Sequence, residues 1–505
     1  MNPTVALIPS AYKTGTVYSI IPASGRGDFN FNRPSSATRV NKDGLVEEMF
    51  IDTVSAELLT DGVISNNAGA IMTFIANGIN SVGDSTSILL RPKITWSTLT
   101  IGAEYRIIGT PTVNSGTTTY SLYDGSSYIK QNETIGAFDI TFTCNGSGMF
   151  FSNDGTQTFD IDWELSIKEV SVSGLPRLDY TNGNCPQLLL EPQSSNLVTY
   201  SQDLSNSDWF KFSGGTTPLV EDSFISPSGE ANANKITFYS GADGIVTNNA
   251  TVSTSSNYSL SIYMKGVKGG ESIRLDFKNN ASQGNIGTTF TLTNQWVRYT
   301  VENLTPLQTS QGLQIRCTNP SEDVQLYAWG GQIENLTYVT SYIPTEATSV
   351  TRSRDLMTDS MAGRPEITSD DWTLFLDFNK SDLGSDNCVS INDGTNDNSI
   401  VINNRANDEL VFILNQGGTV LSSYIYDITG IDDLKVSFSS IDTGASIVVN
   451  GVEIDRLDDG RFDASSLASI DFTEYGTTNE FAGRVNDFRY YNVALSLNER
   501  IALTQ

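Results

Sequence analysis

The amino-acid sequence predicts an all-β protein built of tandem β-sandwich (jelly-roll) domains. Apolar and polar residues alternate in short runs that end at Gly, Asn, Asp, Ser or Pro, as in YSLSIYMKGV (258–267) and SIRLDFKN (272–279). These runs recur roughly every ten to fifteen residues, a spacing typical of sandwiches. Helical periodicity is nearly absent, whereas a parallel sheet would need crossover helices. The sequence therefore favours antiparallel sandwiches.

Pattern and composition divide the chain into five segments. The last begins after a linker with a turn signal, MTDSMAGRPEITSDD. The predicted segments are an N-terminal anchor or scaffold (1–50), a first sandwich similar to carbohydrate-binding modules (51–172), a scaffold connection with a second sandwich (173–355), the linker (356–370) and a C-terminal jelly roll (371–505).

The charge of the chain is strongly acidic. Its 505 residues include 30 Lys and Arg against 58 Asp and Glu, which gives a net charge of −28. Such a surface repels a phosphate backbone, so nucleic acid is not expected as a partner. Two interpretations of the acidity remain: solubility of a protein displayed at high copy number, or dependence on a cation.

The chain contains no histidine, which excludes Ser-His-Asp and Cys-His catalysis and imidazole metal sites. The four cysteines lie far apart without a CxxC pair, so their pairing is left open. The sequence contains no run of about 18 apolar residues, so it predicts no membrane-spanning helix. The N-terminus shows no basic n-region or cleavage site of a signal peptide.

The C-terminal segment carries the clearest local signals. In DWTLFLDF, Trp372 and every second residue after it are expected to face a core. SIVVNGVEIDRL predicts two strands joined by an Asn450-Gly451 hairpin turn. GRVNDFRYYN predicts a further strand, and ALSLNERIAL a short helix with Ser496 as N-cap and Glu499 in a capping box. The hairpin followed by this strand and helix resembles concanavalin A-like, or laminin G-like, jelly rolls.

Three separated phrases resemble sequences of virion appendage proteins of tailed phages, notably those that infect Bacteroidetes. They are LIPSAYKTGTVYSIIPASGRGDFNFNRPSSATRVNKDGLVEE (7–48), PRLDYTNGNCPQLLLEPQSSNLVTYSQDLSNSDW (176–209) and TSYIPTEATSVTRSRD (340–355). The resemblance implies a head or tail fibre, or a capsid decoration, that displays lectin-like domains. It also implies assembly as a homo-oligomer, commonly a trimer, and attachment to other virion proteins through the N-terminal segment.

The first phrase includes the triplet Arg26-Gly27-Asp28, which integrins recognise in other proteins. Here Asp28 directly precedes FNFN, an alternating run that predicts a strand with Phe29 and Phe31 on one face. We therefore interpret the triplet as the start of a strand.

Sugar binding requires aromatic side chains beside polar hydrogen-bonding groups in a shallow site. The candidates are Trp209 and Phe212 in SDWFKF, with Tyr123 and Tyr239 in predicted loops. A Trp on the first strand of a sandwich also fits a core position, so the two interpretations of Trp209 stay open.

Calcium is the metal that the sequence best supports. The stretch DLGSDNCVSINDGTNDNSI contains Asp382, Asp386, Asp393 and Asp397 among several Asn residues. Hard oxygen ligands on loops suit Ca²⁺, although the spacing is not that of an EF-hand. The alternative is a polar turn of an acidic protein.

One carboxylate motif raises the alternative of a glycoside hydrolase. Glu453, Asp455 and Asp458 approximate the strand motif of laminarinase-type hydrolases, which share the concanavalin A-like fold. Residues i and i+2 of a regular strand share a face, so Glu453 and Asp455 could both point into a groove. A retaining hydrolase needs its carboxyls about 5 Å apart. A solvated strand face is the competing interpretation.

Together these patterns predict a non-enzymatic virion protein, a head or tail fibre that adheres to host-surface or environmental glycans and is synthesised in the host cytoplasm. A purely architectural decoration or fibre-base protein without glycan binding is the alternative, and a hydrolase is a third. No cofactor is expected apart from the calcium considered above.

Overall fold

The computed structural model describes most of the chain, and the prediction of an all-β fold is confirmed. Among the described residues, 42 β-strands accompany one short α-helix, and nearly every sheet pairing is antiparallel. The described residues are 2–13, 15–49, 62–66, 70–83, 93–95, 104–116, 119–124, 126, 128–146, 148–152, 158–170, 175–213, 216–239, 243–247, 250–278, 286–317, 322–359, 367, 369–380, 387–405, 407–473 and 481–505.

The chain divides into two compact units. One unit comprises residues 1–49 and 173–505, and the other comprises residues 50–172. The second unit is thus an insertion into the first, at the place where the sequence places its first sandwich.

The N-terminal segment of the larger unit consists of short strands. Its last two pair with each other, and the second, third and fourth form a small sheet that is completed later in the chain. The strands are β1 (Val5–Leu7), β2 (Tyr12–Lys13), β3 (Thr16–Val17), β4 (Phe29–Asn32), β5 (Thr38–Val40) and β6 (Val46–Glu48).

The inserted unit is a sandwich of two five-stranded sheets. Trp163 is fully buried between them, and its indole Nε1 donates a hydrogen bond to Ser81 Oγ at 2.8 Å. The strands are β7 (Val63–Ser65), β8 (Ala70–Ile75), β9 (Gly78–Gly83), β10 (Lys93–Thr95), β11 (Glu104–Ser115), β12 (Thr119–Tyr123), β13 (Tyr128–Thr134), β14 (Phe138–Thr143), β15 (Gly148–Ser152) and β16 (Phe159–Val170). The sheet orders are β13-β12-β15-β10-β7 and β14-β11-β16-β9-β8.

The chain then enters the larger unit again and forms its second sandwich. The connection contributes β17 (Arg177–Asp179), β18 (Gln187–Leu190) and β19 (Ser194–Asn196). The sandwich strands are β20 (Trp209–Ser213), β21 (Leu219–Phe224), β22 (Ala233–Phe238), β23 (Asp243–Thr247), β24 (Ala250–Thr251), β25 (Tyr258–Gly266), β26 (Ser272–Lys278), β27 (Ile286–Thr291), β28 (Val297–Leu304), β29 (Ser310–Cys317) and β30 (Val324–Glu334). One sheet has the order β20-β23-β29-β26-β27, with β24 also paired to β29, and the other has the order β21-β22-β30-β25-β28.

Two short strands follow and complete the scaffold. β31 (Val350–Arg352) pairs with β19, and β32 (Leu356–Asp359) pairs with β4. The three segments that carry the phage-like phrases are therefore hydrogen-bonded into one unit.

The C-terminal sandwich contains the remaining strands and the helix. They are β33 (Thr373–Lys380), β34 (Asn387–Asn392), β35 (Ser399–Arg405), β36 (Glu409–Gln416), β37 (Thr419–Asp427), β38 (Asp433–Ile441), β39 (Gly444–Val449), β40 (Val452–Leu457), β41 (Ser469–Asp471), β42 (Gly483–Tyr491) and α1 (Leu497–Leu503). One sheet has the order β17-β18-β42-β33-β38-β39-β40, and the other has the order β37-β36-β35-β34-β41.

The local signals of this sandwich form as the sequence predicts. Asn450 and Gly451 both have positive φ, 46° and 79°, as a two-residue hairpin turn of this type requires. Ser496 caps α1, and Glu499 completes the capping box. The Trp372 indole is fully buried in the core.

The N-terminal segment belongs to the core of this C-terminal sandwich. β1 pairs antiparallel with β42, and Val5 lies opposite Tyr490. Leu7 is fully buried in the same apolar cluster as Phe29 and Phe488. The apolar side chains of β1 are thus used inside the unit.

The RGD triplet lies at the start of β4. Asp28 Oδ1 accepts hydrogen bonds from the backbone N (2.8 Å) and hydroxyl (3.2 Å) of Ser19. Phe29 and Phe31 are buried while Asn30 is exposed, as the alternation predicts. The carboxylate of Asp28 therefore holds the segment before the strand.

A buried ion network joins the separated parts of the scaffold. Arg33 donates to Asp355 at 2.8 Å, and Arg177 donates to Glu191 at 2.6 Å. Arg177 also pairs with Asp355, and Arg352 with Glu191. Each of the three phage-like phrases contributes at least one of these five residues.

The network keeps the carboxylate of Glu191 charged despite burial. Desolvation raises the pKa of Glu191, but Arg352 and Arg177 outweigh it and hold the pKa well below the ordinary value. Burial lowers the pKa of Arg33 to about 10, although Asp355 opposes that shift. Removal of one partner from such a network leaves a buried charge uncompensated, which costs about 3–5 kcal/mol.

No helix in the described part of the chain is long and apolar enough to cross a membrane; α1 has seven residues.

Candidate functional site

The candidate site is the outer face of one sheet of the second sandwich. In this sheet Arg274 of β26 lies opposite Arg316 of β29, and Asp276 lies opposite Gln314. The intervening Leu275 is fully buried in the core between the sheets. Because side chains alternate along a strand, the four polar side chains point away from that core.

Two aromatic residues and a lysine form the rims of this face. Phe210 and Phe212 of β20 lie in the same two cross-strand rows as Asp276 and Arg274, and Lys278 ends β26 on the same side. We call this face the arginine groove; it is formed by Phe210, Phe212, Arg274, Asp276, Lys278, Gln314 and Arg316.

The rims of the arginine groove lean toward each other. Lys278 Nζ lies 5.3 Å from the ring centroid of Phe212 and 5.9 Å from that of Phe210. The two phenylalanines belong to β20 and Lys278 belongs to β26, three strands away in the sheet. Flat strands at that separation would be roughly 14 Å apart. Gln314 of β29 lies between the two rim strands, and Asp276 lies beside it on β26; both point outward but are only 2% and 0% exposed. They form the floor of the groove.

The floor contains one carboxylate between two guanidinium groups. Arg274 Nε lies 2.5 Å from Asp276 Oδ1, and Arg316 Nη2 lies 3.7 Å from Asp276 Oδ2, beyond hydrogen-bonding distance. Desolvation raises the pKa of Asp276, while Arg274 and Arg316 oppose the shift. Within the described residues, neither Asp276 Oδ2 nor Arg316 Nε has a hydrogen-bond partner, and both atoms are buried.

Glycines make room for this arrangement. A Cβ atom on Gly244 would lie 2.2 Å from Cζ of Phe212, so the ring rests directly over the backbone of β23. A Cβ atom on Gly287 would lie 2.0 Å from the carbonyl oxygen of Leu275 and 2.5 Å from Asp276 Oδ1. A side chain at Gly244 would displace the Phe212 ring, and one at Gly287 would displace Asp276 and the backbone of β26.

The structure separates the four predicted sugar-binding residues. Phe212 lies in the arginine groove. Trp209 does not, and its prediction is wrong: the side chain is 0% exposed, lies in the core of the sandwich, and donates from Nε1 to the carbonyl of Tyr200 at 2.9 Å. Tyr239 is half-buried after β22, which belongs to the opposite sheet. Tyr123 lies in the inserted unit.

Tyr123 packs against a second tyrosine. Its ring centroid lies 5.1 Å from that of Tyr128, and the side chain is half-buried. Sugar binding by Tyr123 and by Tyr239 stays a prediction.

The predicted calcium ligands lie partly outside the described residues, where Asp382 and Asp386 fall. Asp393 accepts hydrogen bonds from Thr395 N at 2.9 Å and Asn398 Nδ2 at 2.7 Å. Asp397 is exposed. In the described part of the chain, no group of three or more Asp, Glu or Cys side chains is placed to hold a metal ion. Calcium binding at this stretch stays a prediction.

The carboxylate motif does not form the pair that a retaining hydrolase needs. Glu453 lies opposite Val448, whereas Asp455 lies opposite Ile447, because a β-bulge interrupts the register between them. Paired residues share a face and neighbouring residues do not, so Glu453 and Asp455 point to opposite faces. The expectation that both line one groove is wrong. Asp458 is exposed and accepts from the Thr443 hydroxyl.

The ionisation of Glu453 also differs from that of a general acid. Partial burial raises its pKa, but hydrogen bonds from Ser446 and Arg456 outweigh burial and lower the pKa below the ordinary value. A general acid needs a raised pKa. Glu453 instead tethers the strand that carries it.

Sequence reasoning missed the polar residues of the arginine groove. SIRLDFKN was identified as a strand, but its charged residues Arg274, Asp276 and Lys278 were not singled out. Their signal is three charges at alternate positions on one face of a strand whose other face is apolar. Acidic residues outnumber basic ones in the whole chain, but two of these three charged residues are basic. This local excess of positive charge is the signal that could have identified the site.

A cavity with a volume of about 470 Å³ lies elsewhere in the same unit. The charges in its wall are engaged by the protein. Arg484 Nε lies 3.2 Å from Asp179 Oδ1, and Lys380 Nζ lies 2.5 Å from Asp408 Oδ1. This cavity separates the scaffold from its two sandwiches, and its polar groups serve the fold.

No protein-family model matches this chain, and no curated protein sequence does. Several solved structures show weak similarity. A CBM40 module of Ruminococcus gnavus IT-sialidase bound to α2,3-sialyllactose is 17% identical over 27% of this chain and 84% of that chain, with a TM-score of 0.25. A carbohydrate-binding module of family 29 is 12% identical over 28% of this chain and 86% of that chain, with a TM-score of 0.20.

A whole enzyme is also among the similar structures. Trypanosoma rangeli sialidase in complex with the inhibitor DANA is 10% identical over 94% of this chain and 98% of that chain, with a TM-score of 0.23. Similarity at these levels does not indicate what this chain binds or whether it is an enzyme.

Proposed function

We propose that this chain is a non-enzymatic structural protein of a tailed-phage virion and binds glycans through the arginine groove. The observation that carries the binding proposal is the pair of buried, unpartnered atoms on the groove floor, Asp276 Oδ2 and Arg316 Nε. One is an acceptor and the other a donor. A sugar hydroxyl both donates and accepts, so it is able to pair with either atom.

The remaining residues of the groove fit the same ligand. Phe210 is 59% exposed and offers an aromatic face beside the polar floor. Sugars combine hydroxyls with apolar C–H faces, so a rim of this kind complements the floor. Single sites of this type bind weakly, and a homo-oligomeric fibre, commonly a trimer, would raise the avidity by engaging several at once.

The virion part of the proposal rests on the three phage-like phrases. Arg33, Arg177 and Arg352, one from each phrase, belong to the single buried ion network described above. A shared scaffold therefore accounts for phrases that lie far apart in sequence. In this proposal the scaffold side of the chain attaches to other virion proteins, and the sandwiches are displayed.

The binding proposal is tested with a glycan array and one substitution. The wild-type chain is expected to bind a subset of glycans, and Asp276→Asn to bind them at least tenfold more weakly. The substitution replaces one acceptor oxygen by a donor NH2 group and removes the charge that aligns both arginines. Asp139→Asn is the matched control, since Asp139 also pairs with an arginine on a strand, Arg106, at 2.6 Å. Wild-type chain that binds no glycan would favour a purely architectural protein.

The location is tested by gold labelling of intact phage particles with an antibody against residues 371–505. Gold on the tail would indicate a tail fibre, and gold over the head would indicate a head fibre or decoration. If mass spectra detect the gene product in lysates of infected cells but the particles never bind gold, the virion proposal is contradicted.

A further inference from the structure

The arginine groove differs in charge from the rest of the chain. The chain carries a net charge of −28. The groove contains three cations, Arg274, Lys278 and Arg316, and one anion, Asp276, so its net charge is +2. Among the described residues that point into it, Asp276 is the sole acid.

The cations of the groove are only partly compensated. Arg274 and Arg316 lie directly opposite each other, a pairing of like charges that destabilises a sheet unless a counter-charge is present. One carboxylate, Asp276, serves both guanidinium groups. Lys278 contacts the rings of Phe210 and Phe212, and no described acid forms an ion pair with it.

We propose that the arginine groove selects anionic sugars, with a carboxylate or sulfate group received by Arg274, Arg316 and Lys278. The inference rests on the proposed glycan-binding function and names its ligand class. Guanidinium groups present planar donors that match the oxygens of both anions. Asp276 Oδ2, which has no hydrogen-bond partner, accepts from a neighbouring hydroxyl of the same sugar.

The experiment measures binding of the whole chain to three soluble polymers: polygalacturonate, dextran sulfate and uncharged dextran. At least one of the two anionic polymers is expected to bind tenfold or more tightly than dextran. Preference for polygalacturonate would assign the carboxylate, and preference for dextran sulfate would assign the sulfate. Raising the salt from about 50 to 500 mM is expected to weaken this binding, because screening acts on the charged contacts.

Variants separate the groove from the general surface. Lys278→Gln and Arg316→Gln are expected to weaken binding of the preferred polymer at least tenfold and to leave the unfolding midpoint unchanged within a few degrees. Lys235→Gln is the control, since Lys235 lies on the opposite sheet of the same sandwich and pairs with Glu221 at 3.5 Å. An equal loss in all three variants would mean unspecific attraction and overturn the inference.

The two proposals fail in different ways. If the glycan array shows groove-dependent binding that is confined to neutral glycans, the charge inference is overturned while glycan binding stands. If neither anionic polymer binds and the array is empty, both are overturned.

Discussion

Two clusters of arginines and buried carboxylates in one unit differ in how many hydrogen bonds their carboxylates accept. In the ion network, Glu191 accepts from two arginines and from the backbone and hydroxyl of Ser341, so both of its oxygens have hydrogen-bond donors. In the arginine groove, Asp276 has one oxygen without a hydrogen bond. The first arrangement stabilises a fold, and the second leaves hydrogen-bonding capacity for a ligand.

The first residue-scale prediction concerns the ion network. Glu191→Gln leaves Arg177 and Arg352 without a counter-charge in a buried place, and we expect a loss of about 3–5 kcal/mol in the free energy of unfolding. Chemical denaturation of the whole chain measures it. Glu47→Gln is the control, because its pair with Arg39 at 3.0 Å is partly exposed and should cost no more than about 1 kcal/mol. If both variants lose the same free energy of unfolding, the buried network contributes no more to stability than an exposed ion pair.

Residue identity alone could not have predicted these partners. Arg177 and Asp355 are 178 positions apart, and Arg33 and Asp355 are 322 apart. Arg177 and Glu191, which also pair, are 14 positions apart. The other members required the three-dimensional convergence of segments that no local pattern encodes.

At the scale of elements, alternation predicted strands well but not their irregularities. GRVNDFRYYN forms β42 as predicted, and its residues Val485, Phe488 and Tyr490 are all buried. The step of three residues between the first two arises from a bulge at Asn486, where the register with β33 shifts. A similar bulge in β40 reversed the expected orientation of Asp455 relative to Glu453. Bulges depend on the partner strand, so a single strand's pattern does not reveal them.

The element-scale prediction concerns β1. Leu7 is fully buried in the C-terminal core although it lies at the opposite end of the chain. We expect Leu7→Ala to lower the free energy of unfolding of the larger unit by about 2–5 kcal/mol through the lost contacts and the cavity left behind. The measurement is the hydrogen-exchange protection of β42, compared with that of β16 in the inserted unit. Protection should fall in β42 and stay unchanged in β16. Ile20→Ala, at a side chain 44% exposed, is the control and should change protection little.

Protection of β42 that does not change in Leu7→Ala would contradict the role of β1 as part of that sheet. It would favour the sequence-based prediction that residues 1–50 act as an anchor to other virion proteins.

At the scale of the whole molecule, the division into units follows from where the buried network lies. All five of its members belong to residues 1–49 and 173–505. The insertion of residues 50–172 was predictable, because it interrupts the phage-like phrases. The charge of the arginine groove was not, since it depends on which strands of one sheet are neighbours.

The last prediction is a dependence of stability on pH that belongs to the larger unit. The pKa of Glu191 is lowered in the folded state from its ordinary value of 4.5. An acid with a depressed folded pKa contributes stability that is present above its unfolded pKa and is lost as the pH falls through the folded one. We therefore expect the larger unit to lose stability below about pH 4.5 by way of this residue.

The measurement follows hydrogen exchange of β18, next to the network, and of β16, in the inserted unit, between pH 6 and pH 3 after correction for intrinsic exchange. Protection of β18 should fall in the wild-type chain as Glu191 gains a proton. The Glu191→Gln variant has no carboxylate at this position. Protection of β18 in this variant should therefore already be weak at pH 6 and should change less as the pH falls. Groups with raised pKa, such as Asp276 and Asp487, act in the opposite direction and are common to both chains. The difference between the two chains therefore isolates Glu191, and an equal pH dependence in both would show that the network does not control acid stability.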